Sequence, residues 1–345
     1  MTKDGLRLTA YFGERDRVAG GLLADALMDV YERHAVSASA LFRGIEGFGV
    51  GHGLQTERLL TLSEDLPMVA VAVDAEERIG ALIDEVREIN RRGMTTLERV
   101  QVLSRSGGPV QLPTGAPTIK LTMFLGRQER IDGRPAHVAV VDLLHRRGVD
   151  GASVLLGVDG TARGVRRRGR FFARNARVPL MVVSLGDREQ VAAVLPELLA
   201  LVDRPMLTLE RTRILKRDGA RLPGLAGQQA SDAAVRSDAQ KLTLYSGEQA
   251  RHEGQLLYSA LIRRLRGEGV SGAAVLRGLW GFHGNHRPHG ERFWSVRRRV
   301  PVVTVLIDTP ANTRRWLAVV DEMTQESGLV TSESVAELWN PGEPR

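Results

Sequence analysis

Cysteine is absent from this chain of 345 residues, which removes disulfides, thiolate catalysis and cysteine-based zinc or iron–sulfur sites. Aromatic residues make up only 5% of the sequence, so its cores must be built mainly from Leu, Val and Ala. No apolar run approaches the roughly 20 residues of a membrane-spanning helix. The first residues also lack the apolar segment of a secretion signal. We therefore expect a soluble protein in a reducing compartment, the cytoplasm.

The charge balance favours acidic partners. The formal net charge is +7, and 43% of the residues are hydrophobic, which is enough for sizeable buried cores. A positive protein attracts nucleotides, nucleic acids and anionic membrane surfaces. On totals alone, however, the plainer interpretation is that the charge keeps the surface soluble.

One pattern occurs three times along the chain. Leu121 and Leu242 lie 113 and 234 residues after Leu8, and each opens a matching apolar strand. This period is too long for a solenoid, so each copy should be a whole small domain. The predicted domains are residues 1–104, 118–215 and 240–338, and the predicted linkers are residues 105–117 and 216–239.

Each copy predicts the element order β-α-β-β-α-β. Helical spacing of apolar residues follows the first strand, and Gly148 and Gly269 stand where a helix should end. A proline enters the third strand of every copy. This order is that of the ferredoxin-like split βαβ unit, so we predict an α+β protein of three ferredoxin-like domains. With both helices on one face of the sheet, the other face needs a cover, and association of sheets would provide it.

The stretches "RGIEGFG" and "LSEDLPMVAVAVD" in the first copy, and "RGLWGFHG" in the third, resemble the PII-like family called domain of unknown function 190. The resemblance extends over all three copies. It implies the homotrimer of PII signal-transduction proteins, with sheets inside, ligands in three clefts between subunits, and long loops that grip a partner. One chain with three copies would then form an intrachain pseudo-trimer, as a monomer or a higher oligomer of it.

The resemblance implies a regulatory protein that binds a small anionic ligand, with a nucleotide as one candidate. It also implies a protein partner, for which a membrane transporter such as a fluoride exporter is one candidate. The glycine-rich phosphate stretch of PII proteins is missing here. His289 fits a histidine position of the PII-like family, but Gln55 and Arg167 replace it in the other copies. ATP binding therefore does not carry over, and no required metal is implied.

Candidate ligand-binding residues recur at aligned positions. The guanidinium group suits anion binding at a cleft, whereas the alternative is a surface ion pair with Glu14 or Glu248. Glycines of the first loop are candidates because they let backbone N–H groups approach a phosphate, although a simple loop is the plainer interpretation. The candidates are Arg58, Arg170, Arg292, Arg17, Arg130, Arg251, Gly47 and Gly49.

Three further interpretations stay open at this stage. The basic loop of the second copy, with Arg166, Arg167 and Arg168 at its outer part, suits docking on a protein partner or, alternatively, nucleic-acid binding. The histidines of the third loop are weak metal candidates: His283, His286 and His289. An enzyme is not expected, because no catalytic grouping is recognisable. The acidic residues of the repeated "LER" stretch, Glu98 and Glu210, have as their plain interpretation charges at the edge of a strand ladder.

Overall fold

A computed structural model describes residues 2–49, 55–56, 65–103, 110–167, 178–203, 205–222, 239–284, 286–290, 300–324 and 328–339. Within these residues the chain forms three successive units of mixed α/β structure, one for each sequence copy. This confirms the expected mixed class and the three repeated units. No helix among the described residues combines the length and the apolar character needed to cross a membrane.

The three repeats use nearly the same succession of elements. The first contains β1 (Thr2–Gly13), β2 (Arg17–Val18), β3 (Gly21–Leu22), α1 (Leu23–Arg33), β4 (Ala38–Arg43), β5 (Glu46–Phe48), β6 (Gln55–Thr56), β7 (Pro67–Ala75), α2 (Glu76–Gly80), α3 (Ile83–Ile89) and β8 (Met94–Leu103). The second contains β9 (Thr118–Gly126), β10 (Arg130–Ile131), β11 (Arg134–Pro135), α4 (Ala136–Arg146), β12 (Gly151–Leu156), β13 (Thr161–Ala162), β14 (Val165–Arg166), β15 (Pro179–Asp187), α5 (Arg188–Leu201), β16 (Met206–Arg217) and β17 (Ala220–Arg221). The third contains β18 (Ala239–Gly247), β19 (Arg251–His252), β20 (Gln255–Leu256), α6 (Leu257–Gly267), β21 (Ala273–His283), β22 (His289–Gly290), β23 (Pro301–Asp308), α7 (Pro310–Met323) and β24 (Leu329–Trp339).

Local sequence signals explain where these elements begin and end. The prolines at the starts of β7, β15 and β23 occupy the first strand residue, where a missing N–H costs least. The first helix of each repeat is followed by a residue of positive φ: Gly148 at 71°, Gly269 at 85° and, in the first repeat, Ala35 at 48°. The sequence predicts the two turns at Gly148 and Gly269, whereas Ala35 gives no such signal and adopts this conformation at a cost that glycine avoids.

One helix differs from the expected element order, and one strand forms despite a modest local propensity. The second helix of the first repeat is interrupted into α2 and α3, and Gly80, a poor helix former, ends its first part. The last strand of the third repeat contains a polar run at residues 331–334, yet β24 is as long as its counterparts. Its pairing with β18, β16 and β8 outweighs its modest strand propensity.

Each repeat places its four long strands in one antiparallel sheet, with the fourth strand beside the first, then the third, then the second. The orders are β8–β1–β7–β4, β16–β9–β15–β12 and β24–β18–β23–β21. Side chains alternate between the two faces of a strand. In β1, Leu6, Leu8 and Ala10 join the core beneath the helices of the first repeat. Arg7, Thr9 and Tyr11 belong to the opposite face.

That opposite face is shared by the three repeats. One apolar cluster combines Phe42 and Val71 of the first repeat with Met181 of the second and Leu276 and Val303 of the third. Each sheet is thus covered by helices on one side and by the other sheets on its inner side. This arrangement satisfies the need for a second cover that the element order predicts.

Two sets of strand pairs join the repeats in a closed cycle. The end of each last strand pairs with the beginning of the next: β8 with β16, β16 with β24, and β24 with β8. The segment after each second strand pairs with the second strand of a neighbour: β5 with β21, the end of β21 with β12, and β13 with β4. Both sets run once around the molecule, so each repeat contacts the other two.

Candidate functional site

A cavity of about 80 Å³ lies between the first and third repeats. The pairing of β5 with β21 forms one side of it, because Phe48 lies opposite Ala273 in this ladder. We call this space the first–third cleft. The cleft is lined by Tyr11, Phe12, Gly13, Phe48, Gly49, Pro67, Met68, Arg92, Gly93, Met94, Ser271, Gly272, Ala273, Ala274, Val305 and Ile307. An apolar concave site with a few polar groups is the usual form of a small-molecule site.

Small side chains keep this cleft open. Gly49 lies directly after β5, and Ser271 and Gly272 lie directly before β21, so no large side chain fills the space between them. Gly47 has a different role. A Cβ atom there would lie 2.6 Å from the carbonyl oxygen of Ala273, so glycine is needed for β5 to approach β21. Of the two glycines predicted to bind ligand, only Gly49 lines the cleft.

The equivalent space between the third and second repeats holds polar side chains. His283 stands where the first repeat has Gly49, and Asp150 stands where the third has Ser271. Arg217 donates to Asp150 at 2.5 Å, and the Gly284 N–H donates to the Asp150 carbonyl at 2.7 Å. Burial raises the pKa of Asp150 to about 6 although Arg217 opposes the shift. Burial also lowers the pKa of His283. These groups fill this cleft with polar and ionic contacts.

The third equivalent space, between the second and first repeats, is closed by hydrogen bonds. Thr161 replaces the phenylalanine of the other repeats, and its hydroxyl contacts the Ser39 hydroxyl at 2.9 Å. The Thr161 N–H also donates to the Ser39 oxygen at 2.8 Å. The Arg163 N–H donates to the Ser37 carbonyl at 2.7 Å. The three clefts are therefore built on one plan but differ in what occupies them.

Arg166 strengthens this last interface. It contacts Asp159 of its own loop at 2.7 Å, and it also forms ion pairs with Asp25, at 3.3 Å, and Asp29 on helix α1 of the first repeat. Its side chain is 13% exposed. Arg166 thus contacts acidic residues of its own chain, although the basic loop was interpreted as a docking surface for a partner or for nucleic acid.

Six charged side chains meet on the shared inner face, and we call them the axial layer. The cations come from the first strand of each repeat and the anions from the last strand, always at equivalent positions. Every one of them is 7% exposed or less. The axial layer consists of Arg7, Lys120 and Lys241 with Glu98, Glu210 and Glu333.

The contacts of the axial layer run around the molecule in one direction. Each cation reaches the carboxylate of the following repeat, so three positive and three negative charges form a neutral, connected set. The cyclic contacts are Arg7 Nη2 to Glu210 Oε1 at 2.5 Å, Lys120 Nζ to Glu333 Oε2 at 2.8 Å, and Lys241 Nζ to Glu98 Oε2 at 2.5 Å. Further contacts lie within a repeat, among them Lys241 to Glu333 at 2.7 Å and Lys120 to Glu210 at 2.7 Å.

The opposite charges outweigh the cost of burial in this layer. Burial by itself raises the pKa of Glu98 and Glu333, but the ammonium groups of Lys120 and Lys241 hold the pKa of both carboxyls below the usual range. Burial by itself lowers the pKa of the two lysines, but the surrounding carboxylates raise it above the usual range. All four groups are therefore charged at neutral pH.

Sequence reasoning missed the axial layer. Glu98 and Glu210 were interpreted as strand-edge charges, but they lie in the centre of the molecule, where last strands from different repeats pair with each other. The available signal was that Arg7, Lys120 and Lys241 share one register position in three otherwise apolar strands. A cation repeated there has to meet a repeated anion, because an unpaired buried charge is too costly.

The arginines predicted for the clefts are not brought together by the described residues. Arg17, Arg130 and Arg251 each open a short hairpin before a helix and are exposed. Glu14 and Glu248 instead pair with other arginines, at positions 43 and 277. Four predicted residues lie outside the described residues: Arg58, Arg168, Arg170 and Arg292. Arg167 is described, and its N–H donates to the Gly160 carbonyl at 2.7 Å.

The histidines of the third loop do not form a described metal site. The rings of His283 and His286 lie 5.0 Å apart in an edge-on arrangement, and His289 Nδ1 contacts the Arg287 carbonyl at 2.9 Å. Across the part of the chain that the structure describes, no group of three or more histidine, aspartate or glutamate side chains is placed to hold a metal ion.

Comparison with known proteins identifies the repeats. A profile of the family DUF190, described as "Uncharacterized ACR", matches residues 5–102, 118–214 and 239–336. The chain belongs to this family. Three tandem copies of one family unit thus make up most of this DUF190 protein, which confirms the resemblance seen in the sequence.

Curated relatives carry one such unit. A UPF0166 protein of Methanocaldococcus jannaschii is 30% identical over 82 residues, which is 24% of this chain and 75% of the relative. A UPF0166 protein of Aquifex aeolicus is 26% identical over 98 residues, which is 28% of this chain and 91% of the relative. The second relative is therefore about as long as one repeat. The crystal structure of an aspartate kinase from Synechocystis aligns with 96% of this chain and 44% of the kinase chain at 11% identity. Its TM-score of 0.25 is too low to indicate a shared fold.

Proposed function

We propose that this DUF190 protein is a PII-like regulatory protein that binds a small ligand in the first–third cleft and docks on a protein partner. Its three repeats would be ferredoxin-like units arranged as an intrachain trimer. The observation that carries the proposal is the apolar first–third cleft with one arginine at its edge. The role is one of binding rather than catalysis.

The strand order supports the ferredoxin-like interpretation. In each repeat the fourth strand lies beside the first and the second lies at the opposite edge, which is the order that two interleaved βαβ units produce. The two closed cycles of strand pairs and the cyclic axial layer support the intrachain trimer, because in each of them equivalent segments of the three repeats make equivalent contacts and the cycle closes after three steps.

The position of the cleft supports a regulatory role. The chain leaves the cleft wall at Gly49 and returns to it at Pro67, so the intervening residues, where the repeats differ most in sequence, begin and end at the ligand site. A ligand that contacts Phe48 and Met68 would therefore act on both ends of this segment. Ligand-dependent docking of a partner requires that the ligand act on the residues that dock.

The contents of the other two clefts support a stoichiometry of one ligand per chain. The second–third space contains Asp150, Arg217 and His283, and the first–second space is closed around Thr161 and Ser39. A ligand there would have to displace buried hydrogen bonds, which is costly. The sequence-based expectation was an anion site in every cleft. The proposal reduces it to one site, in the first–third cleft.

Filling the cleft tests the proposal. A panel of small metabolites is screened by thermal shift, because a ligand that binds the folded state raises its apparent stability. Calorimetry with a hit should then give one molecule per chain. Ser271→Trp, which fills the cleft, should abolish binding, and Ser334→Trp on an exposed strand position should retain it. Three molecules per chain, or binding that Ser271→Trp leaves intact, would contradict the proposal.

A further inference from the structure

We infer that the ligand of the first–third cleft is a small apolar carboxylate with a single negative charge, such as a short branched aliphatic acid. This inference rests on the proposed function and names the class of compound that the cleft accepts. It follows from the chemistry of the walls, from the number of cations and from the size of the space.

The walls are almost entirely apolar. Phe12, Phe48, Met68 and Ile307 are each 6% exposed or less and contribute hydrocarbon surface from both repeats. Such surface favours an apolar ligand body in proportion to the area that is removed from water. A sugar or a polyol would leave its hydroxyl groups without partners against these walls, which is costly.

Among the described lining residues, Arg92 is the one charged side chain. It makes no ion pair with a described residue, and its guanidinium fork matches a carboxylate. The neighbouring backbone packs closely on β1: a Cβ atom on the next residue, Gly93, would lie 2.1 Å from the Tyr11 carbonyl oxygen. Ser271 adds a hydroxyl on the opposite side, from the third repeat.

The size of the space limits the part of a ligand that the cleft can enclose. At about 80 Å³ the cavity is smaller than the roughly 150 Å³ of an engineered apolar cavity that binds benzene. A nucleoside bound here would leave either its base or its sugar outside the enclosed space. A nucleotide's phosphates also carry several negative charges, and Arg92 is the one described cation that could balance them. One apolar group within the cleft and one carboxylate at the Arg92 edge fit what is present.

The test compares charged and neutral compounds of the same shape. Calorimetry is run on the full chain with isovalerate and isobutyrate, with their amides isovaleramide and isobutyramide, and with ATP. We expect the acids to bind at least tenfold more tightly than the amides, because a hydrogen bond to a charged group exceeds one to a neutral group. ATP should not compete with them.

Two neighbouring arginines provide a matched pair of variants. Arg92→Gln should reduce the affinity for the acids at least tenfold and leave the weak binding of the amides unchanged. Arg91→Gln should change neither, because Arg91 does not line the cleft and pairs with Glu88 at 3.3 Å. A general loss of structure would affect acids and amides alike, so the difference between them separates recognition from stability.

The outcomes separate this inference from the proposed function. If ATP binds, Ser271→Trp abolishes that binding and the acids do not bind, the cleft is a ligand site but the inferred class is wrong. Equal affinity for acids and amides, or no effect of Arg92→Gln, would overturn the inference in the same way. If Ser271→Trp changes the binding of none of the compounds, both the inference and the proposed function fail.

Discussion

Removal of one cation from the axial layer should destabilise the whole chain. Lys241 lies 2.5 Å from a carboxylate oxygen of Glu98 and 2.7 Å from one of Glu333, and all three side chains are buried. The variant Lys241→Met keeps the length and apolar stem of the side chain but leaves three carboxylates facing two cations. Breaking a buried ion pair in this way costs about 3–5 kcal/mol.

The same loss of stability can be expressed as a decrease in the midpoint temperature of thermal unfolding. Unfolding entropy is about 2.1 cal/mol/K per residue near the midpoint. For 345 residues unfolding together, a loss of 3–5 kcal/mol lowers the midpoint by about 4–7 °C. Calorimetry and urea unfolding at pH 7 measure the two quantities independently. As a control, Arg87→Met removes an exposed arginine 3.6 Å from Asp84, which should cost less than about 1 kcal/mol.

The pH dependence tests the electrostatic origin of the loss. In the unchanged chain the lowered pKa of Glu98 and Glu333 gives stability that is present above about pH 4.3 and is lost as the pH falls through the folded pKa. The raised pKa of Lys241 gives stability that is present below about pH 10.4 and is lost at higher pH. In Lys241→Met one carboxyl has lost its cation and takes up a proton more readily, so the difference from the unchanged chain should shrink towards pH 5.

A second variant decides whether charge imbalance is the cause. Lys241→Met with Glu98→Gln leaves two cations and two anions, so the layer is neutral again. It should recover most of the stability, because replacing both members of a buried pair is often nearly neutral. The reasoning is refuted if Lys241→Met alone costs less than about 1 kcal/mol, or if the double variant is no more stable than the single one.

Three further predictions concern the assembly and its interfaces. Solution scattering should give a radius of gyration of roughly 20 Å with one cooperative unfolding transition, and repeats that unfold separately would contradict the closed cycles. Arg166→Ala should cost about 1–3 kcal/mol in urea unfolding, whereas Arg163→Ala, at an exposed residue of the same loop, should cost less than half of that. The free energy of unfolding of Asp150→Asn should rise by about 1 kcal/mol relative to that of the unchanged chain as the pH rises from about 4 to about 6. Over that range the raised pKa of Asp150 makes the unchanged chain lose stability, and solvent screening reduces the full effect. A difference that is flat with pH would contradict this assignment.

The sequence predicts the repeated parts of the fold well, because they depend on local patterns. Proline at the start of each third strand and glycine after two of the first helices mark boundaries that the structure confirms. Ala35 shows the limit of such signals. Its backbone is left-handed, but alanine, unlike glycine, does not indicate this conformation in the sequence. Three copies compared with each other nevertheless reveal it, because the equivalent residues are glycines.

Clefts between the repeats were expected, but the lining of the open cleft and the axial layer were not predicted, because they depend on contacts between repeats. Gly49 looked like one glycine among several in a loop, and nothing local distinguishes it from Gly47. Only the pairing of β5 with β21 separates their roles. Gly47 permits the close approach of the two strands, and Gly49 leaves the cleft unfilled. In the same way, Glu98 and Lys241 are distant in sequence, and the register of two separate sheets brings them together.

Linking three repeats in one chain also explains how the clefts came to differ. In an assembly of identical subunits, any residue at the position of Gly49 appears in all three clefts at once. Here the same position holds glycine, alanine and histidine in turn, and the facing position holds serine or aspartate. Two interfaces can therefore use polar contacts for stability, while the axial layer holds the third interface together around an open space. Replacing His283 and Asp150 by the glycine and serine of the first–third cleft should accordingly cost stability without creating a second site, because Arg217 would still enter that space.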